Sequence, residues 1–457
     1  MRPRGRGPRA LAWGALLVLL AAPLAAQEAE TGNASTYRLS LGDAARLAAE
    51  RALPVLEARA RTEGAEARAR LTTAALLPSV GVDVTAGGRT FNTASFGLDF
   101  PTLPGQPPFL DPEGEVIGPV RSADVRASVE VPLFDLSAWG RRKSAHTSAD
   151  AARLAERSVA SAAAAGAARA YVATLRSRAE VRAREADLEL ALDLLDVARG
   201  LLDSGVGVQI DVTRAESQVA EIRAQLLAAR HRAEASELAL RRALELGPEA
   251  RLELTDELGS FSPVEVPTEE EAVARALAQR SDLDVALTAR TAAEQQLSAT
   301  RDARWPRVSA RLDDGYYGER FGHMLNTYTW SLRFSVPVFQ GFSLSARAHE
   351  QEAQVRELDY RLDALRDDVE FQVRSALLNL SAAQEQAAAA AERERLAELE
   401  VEQEEERVRA GVAGTADAVR AAMRLNQART AHLDALAAVQ ASRVALAEAM
   451  GTIVELP

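Results

Sequence analysis

The residues with the widest chemical range are sparse in this chain. There is no cysteine, so thiol catalysis, disulfides and a lipid-modified N-terminal cysteine are all ruled out. The five histidines, His146, His231, His323, His349 and His432, are scattered. None forms a metal-spaced pair, and "AHEQE" from Ala348 lacks the spacing by which one helix face holds zinc. His432 reads as a packed interhelical residue. "GVGVQI" from Gly205 has neither a preceding strand nor a lysine, so it is not a phosphate loop. No enzyme chemistry, metal or cofactor is expected.

What remains is a pair of acids. Asp211 and Asp417 stand at equivalent places just past two glycine-rich turns, with Arg214 and Arg420 three residues on. An acid there is favoured by the helix dipole and can pair with arginine at i+3. That bland reading is compatible with a second role. Gly205 and Gly207 are expected to supply positive φ at the first turn.

The elements that position these acids come from a duplication. "ALLPSVGVDV" from Ala75 resembles "ARWPRVSARL" from Ala303, "VEVPLF" from Val129 matches "FSVPVF" from Phe334, and "SGVGVQIDVTRAE" from Ser204 matches "AGVAGTADAVRAA" from Ala410. The offset falls from 228 to 205 and 206 positions, which implies an insertion of about 23 residues in the first half. The Pro/Gly-rich segment from Phe100 to Val120 reads as that inserted loop. Each half has one order: helix, strand, loop, strand, long helix, glycine turn, long helix. Capping boxes open both halves, Ser40 with Asp43 and Thr268 with Glu271.

Residues 1–26 read as a signal peptide, with four arginines before a short apolar stretch. The first repeat is placed at 27–250, with strands about 79–88 and 122–134 and a hairpin tip near 204–211. The second is placed at 251–457, with strands about 307–317 and 327–339 and a tip near 410–417. The proline-free stretch from Ser137 to Asp203 predicts a helix near 100 Å long, and Gly247-Pro248 is expected to end the helix after it. That return helix has a seam of Ala215, Val219, Ile222, Leu226, Ala229, Ala233, Ser236 and Leu240. The seam recurs in register as Ala421, Leu425, Ala428, His432, Ala435, Val439, Ser442 and Leu446. Steps of four and three predict left-handed coiling.

The strands alternate. Tyr328, Trp330, Leu332 and Phe334 point one way, and Thr327, Thr329, Ser331 and Arg333 the other. Their length and one apolar face suit membrane strands better than the cover of a soluble core, because the helices are largely Ala, Arg and Glu. Four strands cannot close a barrel, and open edges are not tolerated in lipid. The barrel is therefore shared: two chains would give eight strands, three would give twelve. Pro132 and Pro337 are expected where strand gives way to helix, where a missing N–H costs little.

The two "VPLF"/"VPVF" exits, the paired hairpin turns and the opening "LSLGDAARLAAERALPVLEARA" resemble the TolC-type outer-membrane efflux family over essentially the whole mature chain. The resemblance implies a mainly α fold with transmembrane β: a homotrimer whose four strands per chain form a 12-stranded barrel above a long coiled-coil periplasmic tunnel. It implies an exit duct in the outer membrane, docked through a periplasmic adaptor onto an inner-membrane transporter of an efflux or type I secretion system. Within it, Gly205, Gly207, Asp211, Arg214, Gly411, Asp417 and Arg420 fall at the periplasmic aperture and adaptor-contact tip, and Tyr328, Trp330, Leu332 and Phe334 face lipid. Asp417 falls where the family places an aperture acid. The second position, commonly acidic there, is Arg420 in this chain.

The competing class is a trimeric coiled-coil surface stalk without transport, which needs no in-register duplication of the strands. The chain has 54 basic and 66 acidic residues. The basic footprint that a nucleic acid needs is missing, since removing the four N-terminal arginines leaves 50 basic against 66 acidic residues, and no nucleic-acid partner is expected. The acidic run from Ala397 to Val408 reads as a solvated helix face that can also line a tunnel.

Overall fold

The computed structural model describes residues 36–96, 114–247, 249–259, 266–410, 412 and 414–456. The signal peptide, the segment 97–113, Pro248 and Gly411 lie outside the described residues.

The duplication sets the element order. The first half runs β1 (Thr36–Leu39), α1 (Leu41–Arg51), α2 (Leu53–Ala74), β2 (Ser79–Asn92), β3 (Val116–Phe134), α3 (Leu136–Asp203) and α4 (Gln209–Ala243). The second runs β4 (Arg251–Leu254), α5 (Glu269–Gln279), α6 (Ser281–Asp302), β5 (Arg307–Arg320), β6 (His323–Ser335), α7 (Ser343–Arg409) and α8 (Thr415–Met450).

Both capping boxes are formed: the side chains of Ser40 and Thr268 accept from the backbone of Asp43 and Glu271, whose carboxylates accept in return. The carboxyl of Asp43 is held below its ordinary value, chiefly by Arg46 and then by Ser40. The helix that each box opens is then broken. Pro54 cannot donate to the carbonyl four residues back, so α1 ends at Arg51 and α2 restarts after Ala52. In the second half Arg280 makes the break, with its guanidinium 2.6 Å from Asp282.

The two repeats are joined by β1 and β4, which pair in parallel. Around them lies the main core, where Tyr171 of α3 is fully buried. Its hydroxyl sits 2.9 Å from both the Leu39 carbonyl and the Asp256 carboxylate. Burial first, and Asp256 second, push this phenol well above its ordinary value. Asp256 also accepts from the Leu41 amide at 2.8 Å and so caps α1. Through this core runs α3, 68 residues and about 100 Å long, packing along α2, α4, α6 and α8.

Several expected bounds shift. The strand expected from 122 begins at Val116, because residues 116–120 pair with β2 and are not loop. The strand expected at 327–339 spans His323–Ser335, since Arg307↔Ser335 is its last rung and no partner strand extends further. Pro337 therefore lies just beyond the strand, in the link between Ser335 and Ser343 where strand gives way to helix. Pro132 lies inside β3, past the last rung with β2, paired with Ser309 of β5 and beside a register shift, a bulge position of the kind where proline is tolerated in a sheet. Helix α4 ends at Ala243, before Gly247. The left-handed position is taken by Glu245, with φ 51°.

Candidate functional site

Antiparallel pairing in the order β2-β3-β5-β6 makes one four-stranded sheet whose first and last strands have free edges. Residues directly opposite share a face. Val82↔Ala127, Val129↔Leu312 and Leu312↔Trp330 therefore carry one apolar surface across the sheet, continued by Val80, Val84, Leu332 and Phe334. Tyr328, Trp330, Leu332 and Phe334 are all exposed, Trp330 by 73%. An apolar patch of this extent marks an interaction surface. Asp314, at the middle of β5, interrupts it, and its carboxylate accepts from Asn326 at 3.0 Å.

The opposite face is charged. Arg126 lies 3.4 Å from Asp124 and donates to Thr327 two strands away at 3.2 Å. Gly315 makes that reach possible, because a Cβ there would stand 2.7 Å from the Arg126 Cα. Arg311 sits 3.0 Å from Asp313. Two faces of opposite polarity on strands of this length suit lipid on one side and water on the other. No described helix is long and apolar enough to cross a membrane.

At the far end the chain turns between α3 and α4. The amide of Val206 donates to the Leu201 carbonyl at 3.1 Å and that of Gly205 to Leu202 at 2.9 Å, a Schellman cap. Gly205 has φ 78° as expected, but Gly207 does not adopt positive φ. Its role is close approach, since a Cβ would stand 2.7 Å from the Leu202 nitrogen. Asp211 lies in the first turn of α4 with Arg214 3.3 Å away, and Asp417 in the first turn of α8 pairs with Arg420. Both acids are thus helix-end residues bound to their own i+3 arginines, and the structure brings neither acid to the other hairpin.

Sequence reasoning missed an ionic network about 30 Å up the helices from the tip, taking 1.5 Å per residue. Glu180 and Asp187 of α3 are buried. Glu180 meets Arg232 of α4 at 2.6 Å and Arg176 at 3.0 Å. Asp187 meets Arg184 at 2.9 Å, Arg429 of α8 at 3.1 Å and Asn426 at 2.7 Å. Arg429 continues to Glu398 of α7 at 3.2 Å, and His432 pairs with Glu394. Burial pushes the Glu180 carboxyl up, but Arg232, Arg176 and Arg184 outweigh it and hold it below its ordinary value. At Asp187 burial wins over the arginines and the carboxyl is raised. The network ties both hairpins together. The signal was present as i+3 and i+4 pairs on α3, but the cross-helix partners are invisible in one dimension. The acidic run on α7 is partly consumed in the same way, with Glu398 on Arg429 and Glu400 3.0 Å from Arg424.

The sequence profile of the outer membrane efflux protein family matches residues 44–245 and 272–452, both repeats. The chain belongs to that family. No curated protein sequence matches it significantly. Among solved structures it is similar to CusC, at 16% identity over 93% of this chain and 95% of that one, with a TM-score of 0.76. It is similar also to VceC of Vibrio cholerae (18% identity, 90% and 96% covered, TM-score 0.71) and to the open state of MtrE of Neisseria gonorrhoeae (16%, 91% and 89%, TM-score 0.71). At these identities the likeness is one of fold: helical tunnel segments joined to strands. Membership makes this chain an outer-membrane efflux channel subunit, a conduit and not an enzyme. In such a protein the exposed apolar sheet face and the long helices have a common use.

Proposed function

We propose that three copies close a 12-stranded barrel through the free edges of β2 and β6, and that the tunnel of α-helices below receives cargo from an inner-membrane transporter through a periplasmic adaptor. The observation that carries this is the four-stranded sheet, apolar on one face, charged on the other and unpaired at both edges, a state not tolerated in lipid. Tyr328, Trp330, Leu332 and Phe334 then face lipid. The tips, with Gly205, Gly207, Asp211 and Arg214 on one hairpin and Gly411, Asp417 and Arg420 on the other, form the periplasmic aperture and the adaptor contact. Threefold symmetry brings three copies of each acid around one axis. The protein should fractionate with the outer membrane and migrate as a trimer in mild detergent; a monomer in the soluble periplasmic extract would sink the reading. In a planar bilayer, Asp211→Ala with Asp417→Ala should change the closed state. Raised conductance indicates that the acid–arginine pairs brace the tip, and weakened cation selectivity indicates an acidic ring. A double variant matching the parent in both would remove the aperture role.

A further inference from the structure

A groove of about 950 Å³ lies where α3 runs between α2 and α6, beginning two turns below the end of β3. In a chain with more acids than bases, its walls carry three arginines, Arg61, Arg68 and Arg141, and no acid among the described residues. Its floor is low because alanines of α2 and α3 line it, and Gly64 adds no side chain: a Cβ there would meet nothing within 4 Å.

The three guanidiniums are differently engaged. Arg61 is 3.4 Å from Glu57, one turn back on its own helix, and is 74% exposed. Arg141 donates to the Ser137 hydroxyl at 2.7 Å and stands 3.8 Å from Asp135. Arg68 has no hydrogen-bond or ion-pair partner among the described residues. Neither has the amide of Gln296 on the opposite wall. The hydroxyls of Thr72, Ser144 and Ser148 are spent on carbonyls of their own or the neighbouring helix. The groove thus offers two unengaged donor groups, two more cations at its rim and an apolar floor.

We propose that this groove binds an amphiphilic organic anion, one sulfonate, carboxylate or phosphate head on a flat or linear apolar body. A guanidinium is always charged and its planar fork matches such heads. The volume lies in the range of small-ligand sites. The anionic head takes Arg68 and Gln296, and the body lies along the alanines. This goes beyond the conduit reading by giving the periplasmic wall a binding station below the membrane.

The test uses the full-length protein in phosphatidylcholine nanodiscs and equilibrium dialysis of naphthalene-2-sulfonate, with neutral naphthalene-2-sulfonamide as comparator. Saturable binding of the sulfonate, about tenfold tighter than the sulfonamide, is expected from one charge-assisted contact. Arg61→Gln with Arg68→Gln should abolish that preference. Gly64→Leu, whose Cβ meets nothing within 4 Å and whose branch fills the floor, should weaken both ligands. Neither change touches the core, and a native gel reports the oligomer in parallel. Equal affinity for the two ligands, or unchanged binding in both variants, would overturn the site. In discs doped with phosphatidylglycerol, loss of sulfonate binding identifies the occupant as a lipid head group, and retention identifies a soluble anion; either supports the anion site. A protein that binds the sulfonate but forms no conducting pore would overturn the conduit and leave the groove standing.

Discussion

At the residue scale, polarity alternation is the clearest signal. Trp330 and Leu332 share the apolar face, and Ser331 lies opposite Arg311 on the charged one. Trp330→Asp or Leu332→Asp should cost on the order of 2 kcal/mol per strand where the site meets lipid, and Ser331→Asp, beside Arg311, should cost little. The yield of assembled oligomer on a native gel reads the difference, and equal losses from all three would contradict the faces. Glu180 makes a second case. Truncation to Ala removes the carboxylate from half-exposed Arg232 and one of the two on Arg176, which keeps Asp434 at 2.7 Å, and should destabilise by about 2 kcal/mol. Its folded carboxyl lies below the ordinary value of 4.5, so its contribution is present above that value and is lost as pH falls through the depressed one. Thermal melting of the parent should therefore decline below about pH 4.5, and Glu180→Gln should flatten that decline. Asp187, whose raised carboxyl works in the opposite sense, limits the size of the effect. The strand faces were legible because alternation is local. The network was not, because Glu180, Arg232 and Arg429 sit on three different helices.

At the element scale, long proline-free stretches and capping boxes located α3, α1 and α5. The seam residues of α4 were legible too, as Ala215, Val219, Ile222, Leu226, Ala229 and Leu240 are all buried. The second helix break at Arg280 was not legible, because no proline marks it. Nor were β1 and β4, four residues each, whose pairing spans more than two hundred residues. The glycines of the first tip separate by mechanism. Gly200, in the exposed last turns of α3, has nothing within 4 Å of a Cβ, so Gly200→Ala should stabilise by about 0.5–1 kcal/mol. Gly205→Ala, at φ 78°, should cost about 1 kcal/mol. Gly207→Ala should cost most, because its Cβ would strike the backbone of Leu201 and Leu202 and force the turn open. Melting temperatures in that order check the assignment. A neutral Gly207→Ala would mean that the turn yields easily.

At the scale of the whole molecule, one chain is an incomplete object. Its four strands alternate in direction, so β6 and the β2 of a neighbour meet antiparallel, and any ring of whole chains closes without a direction clash. The number of copies is set by curvature, not by strand chemistry, which is why the strands alone allow two chains or three. The absence of cysteine permits a direct count. Thr85 of β2 and Thr327, Thr329 and Ser331 of β6 lie on the charged face, opposite Asp124, Gly315, Asp313 and Arg311 respectively. Thr85→Cys combined in turn with cysteine at each β6 position scans the unknown register across the edge. One combination should bring the Cα atoms within the 4.4–6.8 Å that a disulfide needs. Each chain then carries one cysteine on each edge, so complete oxidation links neighbours head to tail. A ring of three gives a covalent trimer as the largest species on a non-reducing gel, with monomer and dimer fading as oxidation proceeds. A two-chain barrel would stop at dimer, and an open assembly, whose edges never close, would give a ladder beyond three.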